Sequence, residues 1–303
     1  MRAALLREVG GPFELAELPD PEADGSTLVR VRAAGVNFAD VLIRRGRYPQ
    51  MPELPAVLGS EVAGELEDGT RVMAFSGGGG GYAELAAVDP ASVVPLPEHA
   101  SFAEGAAFLL VFLTAYVPLT RQARVREGST VLVYAAAGGV GTAAIQVARA
   151  LGARVVAAAG SAEKLALCRE LGAEEAYVYD ELPDDLLVDV VVDPVGGELF
   201  ASSFARLRPL GTVIAIGSAA GAWTDIDPAR LVGRNSALAG FYLGRLMRLD
   251  PRPVVECLGE LLQLWDEGTI RPVVGAEFPL AEVEAAHELV ESRRSVGKVV
   301  LVP

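Results

Sequence analysis

Lysine is nearly absent from this sequence: Lys164 and Lys298 are the only two among 26 basic side chains, the rest being arginine. Cysteine is as scarce, and Cys168 and Cys257 have no metal-like neighbour in sequence, which excludes a disulfide framework and a Cys-x-x-Cys metal knuckle. His99 and His287 stand alone and are expected to be ordinary, partly exposed residues rather than ligands. Positive charge is in deficit. The net charge of −14 argues against a nucleic-acid backbone or an anionic membrane as main partner, because both would be repelled; it reads as a solubility device. Long apolar runs are missing too, since the longest, 106–119, falls short of a membrane span and ends near Pro118. Residues 1–10, MRAALLREVG, carry charges and lack the unbroken apolar core of a secretory signal. A soluble cytoplasmic protein is expected.

What is present has two textures, and 303 residues suffice for two domains. The first third reads as short strands (28–32, 61–66, 71–75, 82–88 and 92–96) separated by Gly, Pro and Asp, which predicts a small barrel or sandwich. The glycine run 77–81 reads as a flexible turn. From about Val111, nearly continuous apolar runs at 131–134, 153–159, 188–192 and 212–216 alternate with helical patterns. Apolar runs of that kind suit parallel strands covered on both faces, so the fold class is α/β with a Rossmann doubly wound parallel sheet. Helices over 253–265 and 281–292 and strands over 273–278 and 298–302 follow, the last strand being free to return to the first domain's sheet.

Between the first two long strands lies VYAAAGGVGTAAIQVARALGARVV (133–156). Ala135-x-x-Gly138-x-x-Gly141 stands where a dinucleotide fingerprint stands. Such a turn needs a sharp bend, close backbone approach to a pyrophosphate and a helix N-terminus facing the negative charge. Ala137, Gly138, Gly139, Val140 and Gly141 are therefore candidate cofactor residues. The competing reading is an ordinary tight turn, and Ala135 in place of the first glycine is its main support. The second strand ends in Gly160 and Ser161, with Lys164 one turn on. With no acid read at that strand end to repel a 2′-phosphate, and with a hydroxyl and an ammonium to bind one, NADPH is favoured over NADH. The alternative for Lys164 is a solvated helix residue.

Several further stretches carry a resemblance that runs end to end: AAGVNFADVLIRRGRYP (33–49), LGSEVAGEL (58–66), GGYAEL (80–85), LTAY (113–116), AAAGGVG (135–141), VDVVVDPVGG (188–197) and GKVVL (297–301). With these the chain resembles the quinone oxidoreductase (zeta-crystallin-like) branch of the medium-chain dehydrogenase/reductase superfamily. The resemblance implies a GroES-like, mostly β catalytic domain over 1–111 and 248–303 and a Rossmann NADP(H)-binding domain over 112–247. It places Thr114, Tyr179, Gly217, Ser218, Gly240 and Lys298 around the cofactor, with Tyr179 near the adenosine ribose phosphate and Thr114 near the nicotinamide.

Zinc-dependent members of that superfamily carry a Cys and a His-Glu pair where this sequence reads Asn37 and Ser60-Glu61, and neither Asn nor Ser supplies the thiolate or imidazole that zinc needs. No metal is expected. Without a Lewis acid the easier acceptors are quinones and enones, whose own π-system delocalises the delivered charge. Asn37, Asp40 and Tyr48 fall in the family's substrate-side segment: Asn37 either bonds the acceptor carbonyl or nicotinamide ribose or is a turn residue, Tyr48 either orients or protonates the reduced oxygen or packs at the rim, and Asp40 is structural. Two links, 64–71 and 179–189, are shorter than the family usually shows. The expected activity is NADPH-dependent reduction of a quinone; an enoyl-thioester or alkenal reductase and a non-catalytic NADPH-binding protein are the alternatives. Residues 236–242 read as the last strand of the sheet, with an edge a lone subunit would leave open, and the resemblance implies that two such edges pair in a homodimer.

Overall fold

A computed structural model describes residues 1–77 and 79–303; Gly78, within the glycine run read as a turn, lies outside them. Strands come first in the chain: β1 (Arg2–Leu6), β2 (Phe13–Glu17), β3 (Thr27–Val36), β4 (Ala56–Val57), β5 (Glu61–Glu65), β6 (Arg71–Phe75), β7 (Leu85–Val88) and β8 (Val93–Pro95). The parallel-sheet strands follow: β9 (Thr130–Val133), β10 (Arg154–Ala159), β11 (Glu175–Val178), β12 (Val188–Asp193), β13 (Leu207–Ala215) and β14 (Ala237–Gly240). Two late strands, β15 (Val274–Pro279) and β16 (Lys298–Val302), close the chain.

These elements fall into two compact units, Met1–Leu110 with Pro272–Pro303, and Val111–Arg271. The first boundary lies within a residue of the expected one. The second does not: residues 248–271, expected in the β-rich domain, group with the second unit. Helix Arg252–Asp266 explains the difference within that unit, since Glu260 accepts from the Tyr116 hydroxyl at 2.6 Å and from Arg121 at 3.1 Å.

In the first unit β15-β16-β3-β5-β6-β8 form one sheet with β7 also on β3, and β2-β1-β4 form a small second sheet. Pairing is antiparallel except between β15 and β16. The last strand does return, with Val300 opposite Gly35 and Leu301 opposite Ala34. Val29, Val31, Leu58, Val62, Tyr82 and Val299 belong to one buried cluster.

The second unit holds six parallel strands in the order β11-β10-β9-β12-β13-β14. Counting from β9 this is 3-2-1-4-5-6, the doubly wound arrangement, whose ligand crevice lies outside the carboxyl ends of the strands where the order reverses, beside β9. Leu132, Val156, Val191 and Val213 are fully buried in its core. Edge strand β14 pairs on one side with β13. The helical run Phe102–Gln122 exceeds the apolar stretch read from sequence: it is long and apolar enough to cross a membrane, and 83% of its most apolar window is buried within the protein.

Candidate functional site

In the second unit the chain leaves β9, turns at Ala135–Gly138 and enters helix Gly139–Ala150. A Cβ on Gly141 would lie 2.2 Å from the Ala135 carbonyl oxygen and 2.6 Å from that of Ala136, so only glycine lets the helix start pack on the turn. Gly138 is the N-cap and has no side chain to occupy the first-turn N–H groups, which in any α-helix lack intrahelical acceptors. Ala137 is buried, and Gly138, Gly139 and Val140 are half-buried. Ala135, the residue that favoured an ordinary turn, has φ of +47° and so takes the left-handed conformation a first glycine would adopt without cost. Its N–H donates to the Tyr179 hydroxyl at 3.1 Å.

The next strand ends gather further predicted residues. Val178 of β11 lies opposite Ala159 of β10, which puts Tyr179 beside Gly160. Lys164 is half-buried, and desolvation holds its ammonium below the ordinary lysine range. The strand end does carry a carboxylate, contrary to expectation: exposed Glu163 bonds the Ser161 side chain, which keeps Glu163 below its usual pKa. Ser161 therefore reaches a phosphate only by leaving or sharing that partner. Gly217 and Ser218 follow β13; a Cβ on Gly217 would meet the Pro194 carbonyl at 3.4 Å. Gly240 is exposed, a Cβ there would touch nothing within 4 Å, and its carbonyl accepts from Gln122 at 3.1 Å. Thr114 is buried in helix Leu109–Val117. Sequence reasoning missed Asp193, fully buried, whose Oδ1 accepts from the N–H groups of Val195 and Gly196 at 2.7 and 2.9 Å and shapes the loop after β12.

The first unit carries a polar cluster inside its core. Lys298, 4% exposed, points its Nζ at Asn37 Oδ1 (2.6 Å), Glu61 Oε1 (2.7 Å) and the Val36 carbonyl (3.2 Å). An ammonium has three donors, and these three acceptors use them. Its charge is thereby paired with Glu61 inside the first unit. The Asn37 amide donates to Glu61 at 3.1 Å, and Glu61 Oε2 accepts from the Leu110 N–H at 3.0 Å. Gly35 makes room: a Cβ there would lie 2.6 Å from Glu61 Oε1 and 2.3 Å from the Ala106 carbonyl.

Asn37 is the N-cap of helix Phe38–Arg44, and Asp40 completes the capping box by accepting from the Asn37 N–H at 2.8 Å. Asp40 also accepts from the Tyr82 hydroxyl at 3.0 Å, and Tyr82 lies 3.2 Å from His287 Nε2. His287 is not partly exposed as expected but fully buried, edge-on to the Phe13 and Tyr82 rings. Burial pushes the Asp40 carboxyl up to about 6 and the His287 imidazole down to about 3. Tyr48 is half-buried with its ring packed against the core cluster.

Zinc does not fit here. Asn37 and Ser60 are poor donors for it, and the carboxylate of Glu61 is already bonded to an ammonium that would repel a cation.

Residues 23–98 match the alcohol dehydrogenase GroES-like domain family and residues 171–301 the zinc-binding dehydrogenase family. The chain is 33% identical to the quinone oxidoreductase of Rattus norvegicus, over 100% of this chain and 98% of the relative. The structure of a quinone oxidoreductase from Thermus thermophilus, also solved in complex with NADPH, superposes with a TM-score of 0.94 at 46% identity, covering 100% of both chains. A mycobacterial protein solved with NADPH gives 0.91 at 33% identity, again over 100% of both chains.

Proposed function

We infer the activity from one premise: the chain belongs to the quinone oxidoreductase branch of the zinc-independent medium-chain dehydrogenase/reductase superfamily. We propose that it transfers hydride from NADPH to a quinone or a similar conjugated carbonyl. The observation that carries this reading is the buried Glu61–Lys298 pair with Asn37. At the positions where zinc-dependent relatives hold ligands, this chain holds an internal cation whose donors are all engaged. A simple aldehyde would find no Lewis acid to stabilise its alkoxide, whereas a conjugated acceptor spreads the incoming charge through its own π-system. Each acceptor takes up a hydride and a proton and leaves as the two-electron-reduced product.

When bound, NADPH supplies the hydride from its nicotinamide. The first-turn N–H groups of Gly139, Val140 and Gly141 would hold its pyrophosphate, and Lys164 with Ser161 its 2′-phosphate. Thr114, Gly217, Ser218 and Gly240 are assigned to the remaining cofactor contacts. Tyr48 is assigned to the acceptor. Asn37, with both ends of its amide bonded internally, fixes the start of helix Phe38–Arg44 and holds Lys298 in place. The solved NADPH complexes of the relatives support the cofactor choice.

The test is NADPH oxidation by the purified protein, followed by nicotinamide absorbance, across quinones, alkenals, enoyl thioesters and saturated aldehydes. Quinones are expected to turn over fastest and saturated aldehydes not at all. Preference for an enoyl thioester would move the substrate class, and NADPH binding without turnover on any acceptor would leave a binding protein.

A further inference from the structure

We propose that Tyr179 is a positioning residue of the dinucleotide turn, its hydroxyl holding Ala135 in left-handed backbone through the Ala135 N–H. The inference rests on the reading of that turn as a cofactor site. The peptide of Ala135 is the pivot of the turn. Its carbonyl accepts from the Gly138 N–H at 2.9 Å and is the atom closest to any Cβ at Gly141, so its direction sets where helix Gly139–Ala150 can begin.

The N–H groups on either side belong to the sheet. Tyr134 donates to Val192 of β12, and Ala136 donates to Ala158 of β10, each at 3.0 Å. Between them Ala135 turns to a side chain instead, that of Tyr179. With φ of +47° and a Cβ, Ala135 is in a conformation that costs free energy unless its surroundings hold it. The Tyr179 hydroxyl is the group that does so.

The ring is itself fixed. Tyr179 follows β11 directly and lies across from Gly160, where an added Cβ would reach its Cε2 at 3.8 Å. On another side it stands edge-on to the buried Tyr134 ring, centroids 6.1 Å apart at 76°. One side chain therefore joins the pyrophosphate turn to the strand end that bears Gly160, Ser161 and Lys164. A contact to the 2′-phosphate would serve NADPH alone. A hold on the turn serves the pyrophosphate, which NADH and NADPH share.

The experiment compares Tyr179→Phe with wild type by titrating NADPH and NADH separately, and measures exchange of the Ala135 amide hydrogen without cofactor. Loss of one neutral hydrogen bond is expected to weaken both dinucleotides by about threefold to tenfold, to leave their ratio unchanged, and to speed Ala135 exchange. Ala135→Gly in the same chain removes the left-handed penalty, so the double variant should recover binding toward wild type. Weakening of NADPH alone, unchanged Ala135 exchange, or no recovery in the double variant would each overturn the inference. Failure of wild type to bind either dinucleotide would overturn the proposed function instead, and the exchange rate, which needs no cofactor, would still decide whether Tyr179 holds the turn.

Discussion

Asp40 and His287 are both fully buried and both lie within hydrogen-bond reach of the Tyr82 hydroxyl, yet they answer pH in opposite senses. Asp40 has a folded pKa raised to about 6 by burial. Its contribution to stability is complete below the unfolded value near 4 and is lost as pH rises through 6. His287, held neutral with a folded pKa of about 3, does the reverse: its contribution is complete above the unfolded value near 6.5 and is lost as pH falls toward 3. Between pH 4 and 6 the two oppose each other. Urea unfolding across that window should therefore show the stability difference between wild type and Asp40→Asn shrinking by about 2–3 kcal/mol as pH rises, while the difference between wild type and His287→Phe grows. A difference that stays flat for Asp40→Asn would mean the carboxyl titrates as it does in solvent. None of this was legible in the sequence, where His287 sits among Glu284, Glu288 and Glu291 and looks solvated; its burial comes from Phe13 and Tyr82, more than 200 residues away. Glu163 stands in plain view between Ser161 and Lys164 and was passed over; what the sequence could not show is that it takes the Ser161 hydroxyl.

At the scale of elements, β16 and β5 each supply one charge to a pair buried on both sides, Lys298 at 4% and Glu61 at 1% exposure. Attraction in such a place only offsets desolvation while both partners are present. Lys298→Met should cost about 3–5 kcal/mol, because it leaves Glu61 charged and uncompensated. Adding Glu61→Gln should restore part of that loss, and equal instability of single and double variants in denaturant titration would show that the pair is not the unit. The long parallel strands were legible because a strand covered on both faces must be apolar throughout, and the glycine turn because Gly141 has no substitute under two carbonyls. β1 and β2 were not. RAALL has no alternation to betray a strand, and FELAE carries charge while leaving Leu15 46% exposed. The Glu61–Lys298 partnership joins residues 237 apart, and nothing local marks it.

For the whole molecule, the decisive feature is that the first unit is discontinuous while the second is not. Residues 111–271 contain a complete six-stranded sheet and its core, so a chain stopped after Arg271 should keep that segment resistant to protease while residues 1–110, lacking β16 beside β3, are digested. Survival of 1–110 in that chain would show that the late strands are dispensable. The same discontinuity acts during synthesis. After Leu110 leaves the ribosome, roughly 160 residues of another unit must be made before Pro272 appears, a wait of about 10–30 s at ordinary elongation rates. Through that interval Glu61 and Asn37 have no ammonium to close around. The second unit is free to fold while it emerges, and the first can finish only when translation reaches Lys298, so any pause in the closing codons prolongs the life of a half-built β-domain.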